Sequence, residues 1–195
     1  KNNIIIIDNK KNKTKSNYVV YDVLKKSFFS KGLTEIQIKE NYIVQGENIL
    51  LDAKKSLIQS DSKTIITDQD NNKIYLESFQ YLKNKNIFKS IGLIQIEDIS
   101  GNNYEFSQIY IDTKKKEILG TDTKAFLNNK KFKISEKNDP RVFSNTVKLN
   151  KNLRVFDKSI FTLCGYREDD KCPPWSIQAS KMLHDNKKKT IYYDN

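Results

Sequence analysis

This sequence predicts an all-β fold of stacked antiparallel strands, and three observations carry the prediction. Apolar residues recur with a period of thirty residues over most of the chain. Within a period they stand two apart, which is strand spacing and not the i, i+3, i+4 face of a helix. Polar segments rich in Asn, Asp and Lys divide them, and residues 1–139 contain no proline. Such segments are turn-formers, so the pattern reads as short strands joined by tight turns.

The repeat is legible without gaps. The stretches NYVVYDVLKKSFFSKG from Asn17, ENILLDAKKSLIQSDS from Glu47, ESFQYLKNKNIFKSIG from Glu77 and SQIYIDTKKKEILGTD from Ser107 are spaced by thirty residues. They align Val19, Ile49, Phe79 and Ile109, then Tyr21, Leu51, Tyr81 and Ile111. Asp22, Asp52 and Asp112 come next, with Leu82 as the exception. Each Asp opens an Asp-x-x-Lys-Lys-like turn, where Asp tolerates the tight geometry and lysines blunt a strand edge. DQDNNKIY at 68–75 and DISGNNYEF at 98–106 are further turns. Each repeat is therefore expected to hold about one hairpin and two turns.

The register gives three inward ladders. They are Phe28, Ile58, Phe88 and Ile118; Ile36, Ile66, Ile96 and Phe126; and Val44, Ile74, Tyr104 and Ile134. A single hairpin cannot bury its apolar face, so neighbouring repeats must supply the opposite wall. These ladders fit either a packed core or an apolar groove, because both need the same residue types. The whole chain, 1–195, is expected to be one domain. Repeats cover about 1–134, a loop with Pro140 covers about 135–144, and strands from Asn145 complete the chain at 145–195.

Composition narrows the function classes. The net charge is +11, and 30% of residues are charged. The pI is about 9.4 and the mean hydropathy is -0.70. A basic balance fits anionic partners such as nucleic acid, an anionic membrane surface or an anionic lipid. The sequence has no apolar run of the ~18–20 residues that a membrane helix needs. The chain begins at Lys1 and its only methionine is Met182, so we expect a removed leader or an excised piece.

Candidate chemical sites are few. Cys164 and Cys172 are spaced too widely for a zinc pair, and His184 is the only histidine, so no metal site is expected. A Cys-x-x-Cys redox motif is absent. A structural disulfide fits an oxidising compartment, and a loop this short would be stabilised by about 2–3 kcal/mol. Two free thiols are the alternative. His184 precedes an Asp turn and no nucleophile motif accompanies it. The acidic run at 167–170 lacks the alternating oxygen ligands of a calcium loop. The lysine runs at 114–116 and 187–189 read as solvated turns, and no Gly-rich phosphate loop is present. No catalytic residues and no cofactor are expected.

The C-terminal stretch FDKSIFTLC…PPWSIQASKMLHDNKKKTIYYDN resembles the signature of the lipopolysaccharide-assembly proteins of the LptD, or organic solvent tolerance, family. Phe161, Thr162, Cys164, Trp175, Ser176, His184 and Asp185 carry the resemblance. The YD…KK units also resemble the OstA-type repeats shared by LptA, LptC and the N-terminal domain of LptD. The resemblance implies a twisted, partly open β-jelly roll at the periplasmic face of the Gram-negative outer membrane. It implies a downstream transmembrane β-barrel that this chain lacks. The implied function is non-enzymatic: lipopolysaccharide is received from the LptA bridge, and its acyl chains pass along the apolar groove toward that barrel. LptA would join by edge-strand addition, and LptE and the barrel would be further partners. Cys164 matches the family cysteine that pairs with one in the barrel, while a local Cys164–Cys172 bond is the other option. Trp175 would anchor the last strands at this junction. The competing expectations are a structural β-solenoid or adhesin-type module without lipid binding, and a basic nucleic-acid-binding β protein. The second predicts affinity that falls steeply with salt, and no nucleic-acid motif supports it.

Overall fold

The structure is a computed structural model and describes residues 4–128, 130, 138–164, 175–185, 187–188 and 190–194. Sixteen strands lie among the described residues. In chain order they are β1 (Ile4–Ile7), β2 (Lys13–Asp22), β3 (Ser27–Ile38), β4 (Tyr42–Gly46), β5 (Leu50–Asp52), β6 (Leu57–Ser60), β7 (Thr64–Thr67) and β8 (Lys73–Leu76). Then come β9 (Phe79–Leu82), β10 (Ile87–Glu97), β11 (Asn103–Asp112), β12 (Glu117–Phe126), β13 (Arg141–Leu149), β14 (Leu153–Thr162), β15 (Ile177–Asp185) and β16 (Thr190–Asp194). All belong to one antiparallel sheet. The expected all-β class is what the chain adopts.

The connectivity is simpler than the strand count suggests. β3 pairs with β5 through residues 27–29 and with β4 through residues 34–38. β10 does the same with β9 through residues 87–89 and with β8 through residues 94–97. β4 and β5 are thus one line broken in the middle, as are β6 with β7 and β8 with β9. Counted this way, each strand pairs with the next in sequence, and the sheet is a meander. It folds over along its midline into a V. Tyr42 and Phe88 lie on opposite walls, yet their ring centroids are 6.2 Å apart.

The corner of the V has its own residue pattern. Ser30, Ser60 and Ser90 are buried there at thirty-residue spacing. Bending frees carbonyls from the ladder, and a short hydroxyl can recapture them. Ser60 Oγ donates to the Glu47 carbonyl at 2.7 Å, and Ser90 Oγ donates to that of Ser78 at 2.6 Å. Register shifts between Ser16 and Tyr18, and between Ile91 and Ile94, mark bulges at the same level. Bulges bend and twist a sheet where they occur. Gly120 takes the fourth place, and a Cβ there would overlap the Phe106 ring.

Turns close both free ends of the walls, again in register. Lys26, Ser56, Asn86 and Lys116 have positive φ on one side, and Lys11, Asn41, Asn71 and Gly101 have it on the other. On the first side, Asp22, Asp52 and Asp112 each accept the N–H three residues on, at 2.8–2.9 Å. The Lys25 N–H leads the effects that lower the Asp22 carboxyl below its usual value. On the second side the motif is Asp-x-x-x-Asn. Asp68 Oδ1 accepts from the N–H groups of Asp70 and Asn72, and Asn72 Nδ2 donates to Asp68 Oδ2. Asp8 with Asn12 and Asp98 with Asn102 repeat it.

The interior between the walls is one apolar core. Ile36, Ile49, Ile66, Ile74, Ile94 and Ile109 are fully buried in it. Each contributes about 1.5–3 kcal/mol relative to exposure. Two sequence expectations need correction. β13 begins at Arg141, ahead of the expected start at Asn145. Phe126 does not continue the Ile36–Ile66–Ile96 ladder. In β3 and β10 three exposed residues separate the buried corner serine from the next buried residue, but in β12 only Thr121 and Asp122 separate Gly120 from Thr123. One residue fewer exchanges the two faces over the rest of the strand. Ala125 is buried at 1% exposure, and Phe126 lies on the other face.

Candidate functional site

The predicted ladder residues meet in the V. Ile36, Val44, Ile58, Ile66, Ile74, Phe88, Ile96 and Tyr104 are buried between the walls. Phe28 and Ile118 are half-buried and pack against that core from its margin. Ile134 lies outside the described residues. Toward the N-terminal margin the ladder opens: Tyr21 is half exposed and stacks on Phe28 at a 4.4 Å centroid distance. The apolar interior thus runs along the whole meander, with its tightest packing in the middle.

Opposite the corner, the two rows of turns face each other as the lips of a mouth. The first lip is basic. Lys25, Lys26, Lys54, Lys55, Lys114 and Lys115 all stand in its turns, as do Lys116, Lys151 and Lys187. The second lip carries Asp8, Asp68, Asp70 and Asp98 at its turns. The lips touch at two buried clasps and at a third, exposed ion pair, where Lys151 Nζ stands 3.9 Å from Asp70 Oδ1. Lys83 Nζ meets Asp8 Oδ2 at 3.3 Å, and Arg154 Nη2 meets Asp98 Oδ2 at 3.1 Å. All four side chains are at most 16% exposed. At the first clasp, burial raises the Asp8 carboxyl pKa, but hydrogen bonds from Asn12 and Lys10 and the Lys83 charge outweigh it and hold the carboxyl below its usual value.

A cleft of about 340 Å³ opens between the lips beside the second clasp. Tyr42, Ile96, Tyr104, Ile118 and Leu149 form its apolar lining, and Asp68, Asp98, Lys116 and Arg154 are among its polar walls. The Arg154 guanidinium stands 5.8 Å from the Tyr104 ring centre. The Tyr104 hydroxyl lies 3.4 Å from Asp98 Oδ2, and burial pushes its pKa well above the ordinary phenol value. Behind Arg154, across the β14–β15 pair, stands His184. Burial and then the Arg154 charge lower its pKa, while Asp185 opposes them. None of this forms a nucleophile–base pair, and no cluster of three metal-ligating residues occurs among the described residues.

Cys164 and Trp175 sit together at the second-lip end of β14 and β15. The Trp175 carbonyl accepts from Thr162 Oγ1 at 2.6 Å and lies 3.7 Å from Cys164 Sγ. The Trp175 indole packs edge-on against Phe161 at 6.3 Å. Arg141 Nη2 donates to the Cys164 carbonyl at 2.9 Å. Cys172 lies outside the described residues.

Sequence reasoning aligned most of the buried ladder positions but missed the clasps. The Asp-x-x-x-Asn spacing at 8, 68 and 98 was a usable signal for the second lip. Nothing in the sequence singled out Lys83 or Arg154, whose partners lie 75 and 56 residues away.

Comparison with known proteins gives little. A scan against protein-family models finds no match, and no curated protein sequence matches. Among solved structures, the chain is similar to LptH, the LptA-homologous periplasmic component of the lipopolysaccharide transport device of Pseudomonas aeruginosa. The TM-score is 0.48 at 17% identity, over 56% of this chain and 81% of that one.

Proposed function

We propose that this chain is a periplasmic lipopolysaccharide-transport module without bond-making chemistry. It takes lipopolysaccharide from an LptA bridge and passes the acyl chains through its apolar V toward an outer-membrane barrel. The observation that carries the reading is an apolar interior between the two walls that meets a cleft at the lips, an arrangement in which acyl chains would lie inside while sugars remain in water. The basic first lip suits the phosphates of such a lipid. Half of β2, residues 18–22, and half of β15, residues 177–180, have an unpaired edge among the described residues. These are sites for strand addition by an LptA-type domain. LptE and the chain's own barrel would be partners in a longer protein. Cys164 would form a disulfide, with Cys172 or with a barrel cysteine, and Trp175 would anchor the strands leading into that junction.

One observation favours a second reading, a structural β module that binds no lipid. The middle of the interior is packed shut around Ile36, Ile66 and Ile74, all at 0% exposure. Photocrosslinking decides between the two. Probes at Phe28, Ile66 and Tyr104 should form adducts with lipopolysaccharide, and a probe at the outward Leu93 should not. A folded sample that gives no adduct at any inward position would rule out the conduit.

A further inference from the structure

A closed interior that must accept a chain needs a place where it opens. The two clasps differ in how readily they could let go. At the first, Lys83 is 7% exposed as a whole residue, and its carbonyl also accepts from Lys10 Nζ. That clasp is doubled, and the cleft of about 330 Å³ beside it is lined by polar side chains apart from Tyr81. The second clasp has one buried contact, Arg154 Nη2 to Asp98 Oδ2, beside the lined cleft, and across the same mouth only the exposed Lys151–Asp70 pair at 3.9 Å joins it among the ion pairs of the described residues.

The chemistry of that contact is lopsided. A guanidinium offers five N–H donors in a fork that fits two oxygens of one anion. Among the described residues, Arg154 uses one donor, on one carboxylate oxygen. Asp98 does not depend on it. Its Oδ1 accepts the N–H groups of Ser100 and Asn102, and its Oδ2 accepts Asn102 Nδ2 at 2.7 Å. If Arg154 left, Asp98 would keep these donors and would not become an orphaned buried charge. Arg154 in turn would gain from any anion able to engage its fork bidentately.

Resting on the conduit reading, we propose that the cleft between the lips is a gated portal and that Arg154 is its headgroup-binding residue. The anionic group of an amphiphile, a phosphate or a carboxylate, exchanges with Asp98 on the guanidinium. The exchange releases the clasp, the lips part, and the attached chain enters over Tyr104, Ile96 and Leu149. Lys116, on the same lip as Arg154, adds positive potential at the mouth, where Lys151 stands paired with Asp70. The clasp thereby discriminates: an anionic amphiphile opens the gate that a neutral one meets closed.

The test compares dodecyl phosphate with dodecyl maltoside, both below their micelle concentrations, on the wild-type chain and on Arg154→Met and Arg154→Lys. Asp98 is left unchanged because it caps its own turn. In the wild type, dodecyl phosphate should shift the Arg154 Nε–Hε resonance, and dodecyl maltoside should not. Arg154→Met should bind dodecyl phosphate about tenfold or more weakly, the loss expected for a charge-assisted pair. The same variant should bind dodecyl maltoside at least as well as the wild type, because its clasp is gone. Arg154→Lys should fall between the two in binding the phosphate. Equal binding of dodecyl phosphate by the wild type and both variants overturns the portal and leaves the conduit standing. Binding of neither amphiphile by any folded form overturns both. If Arg154→Met fails to fold, the wild-type resonance and Arg154→Lys still decide.

Discussion

Asn102 is buried at 4% exposure and holds two turns together. Its Nδ2 donates to Asp98, and its Oδ1 accepts the N–H of Asn128 from the neighbouring turn at 2.8 Å. Asn12 and Asn72 do the same for the N–H groups of Lys39 and Ile99. A ladder of side-chain amides thus runs along the second lip and supplies partners that the backbone lacks. Asn102→Ala would leave buried groups unpaired, and we expect it to cost about 1–3 kcal/mol. Urea unfolding midpoints would show this. Asn84→Ala, at an exposed first-lip turn, should stay within about 0.5 kcal/mol. The sequence showed Asn72 and Asn102 only as turn formers. Their reach to the next turn depends on strand stacking, which composition and spacing do not encode.

At the scale of elements, the corner decides which residues face inward. Ser30, Ser60 and Ser90 stand where the strands bend, so Gly120 looks like a lapse in the repeat. It is an accommodation to Phe106, whose ring fills the place of the missing Cβ. We therefore expect Gly120→Ser to destabilise by about 1–3 kcal/mol, even though it restores the repeat residue. Phe106→Leu should recover part of that loss in the double variant, because the two sites are in contact. Thermal melts of the four forms would measure the coupling. The same corner explains Phe126. The thirty-residue alignment carried its ladder position correctly up to Ile96, but β12 turns the corner with one residue fewer than β10. A hydrophobic pattern read at fixed spacing cannot register a missing bulge residue, since Ala125 and Phe126 are both apolar.

For the molecule as a whole, the meander places Cys164 and Trp175 at the second-lip end of β14 and β15, near the end of the described chain. A covalent link there would tie the final strands to a second segment of chain. If Cys164 bonds Cys172, the purified chain without reductant should be lighter by two hydrogens on intact mass, and reductant should remove the difference. An unchanged mass would leave Cys164 available for a cysteine elsewhere. By itself, the sequence determined the all-β class, the thirty-residue rhythm, the Asp-led turns and most of the inward ladders. These are local or periodic, set by side-chain alternation and turn chemistry within a few residues. Only the tertiary structure decided that the meander folds into a V, that opposite lips meet through Asp8 with Lys83 and Asp98 with Arg154, and that Phe126 faces away. The first two depend on how far the sheet bends at its corner, an angle set by packing between walls and not by any one segment of chain, and the third on the bulge residue that β12 lacks at that corner.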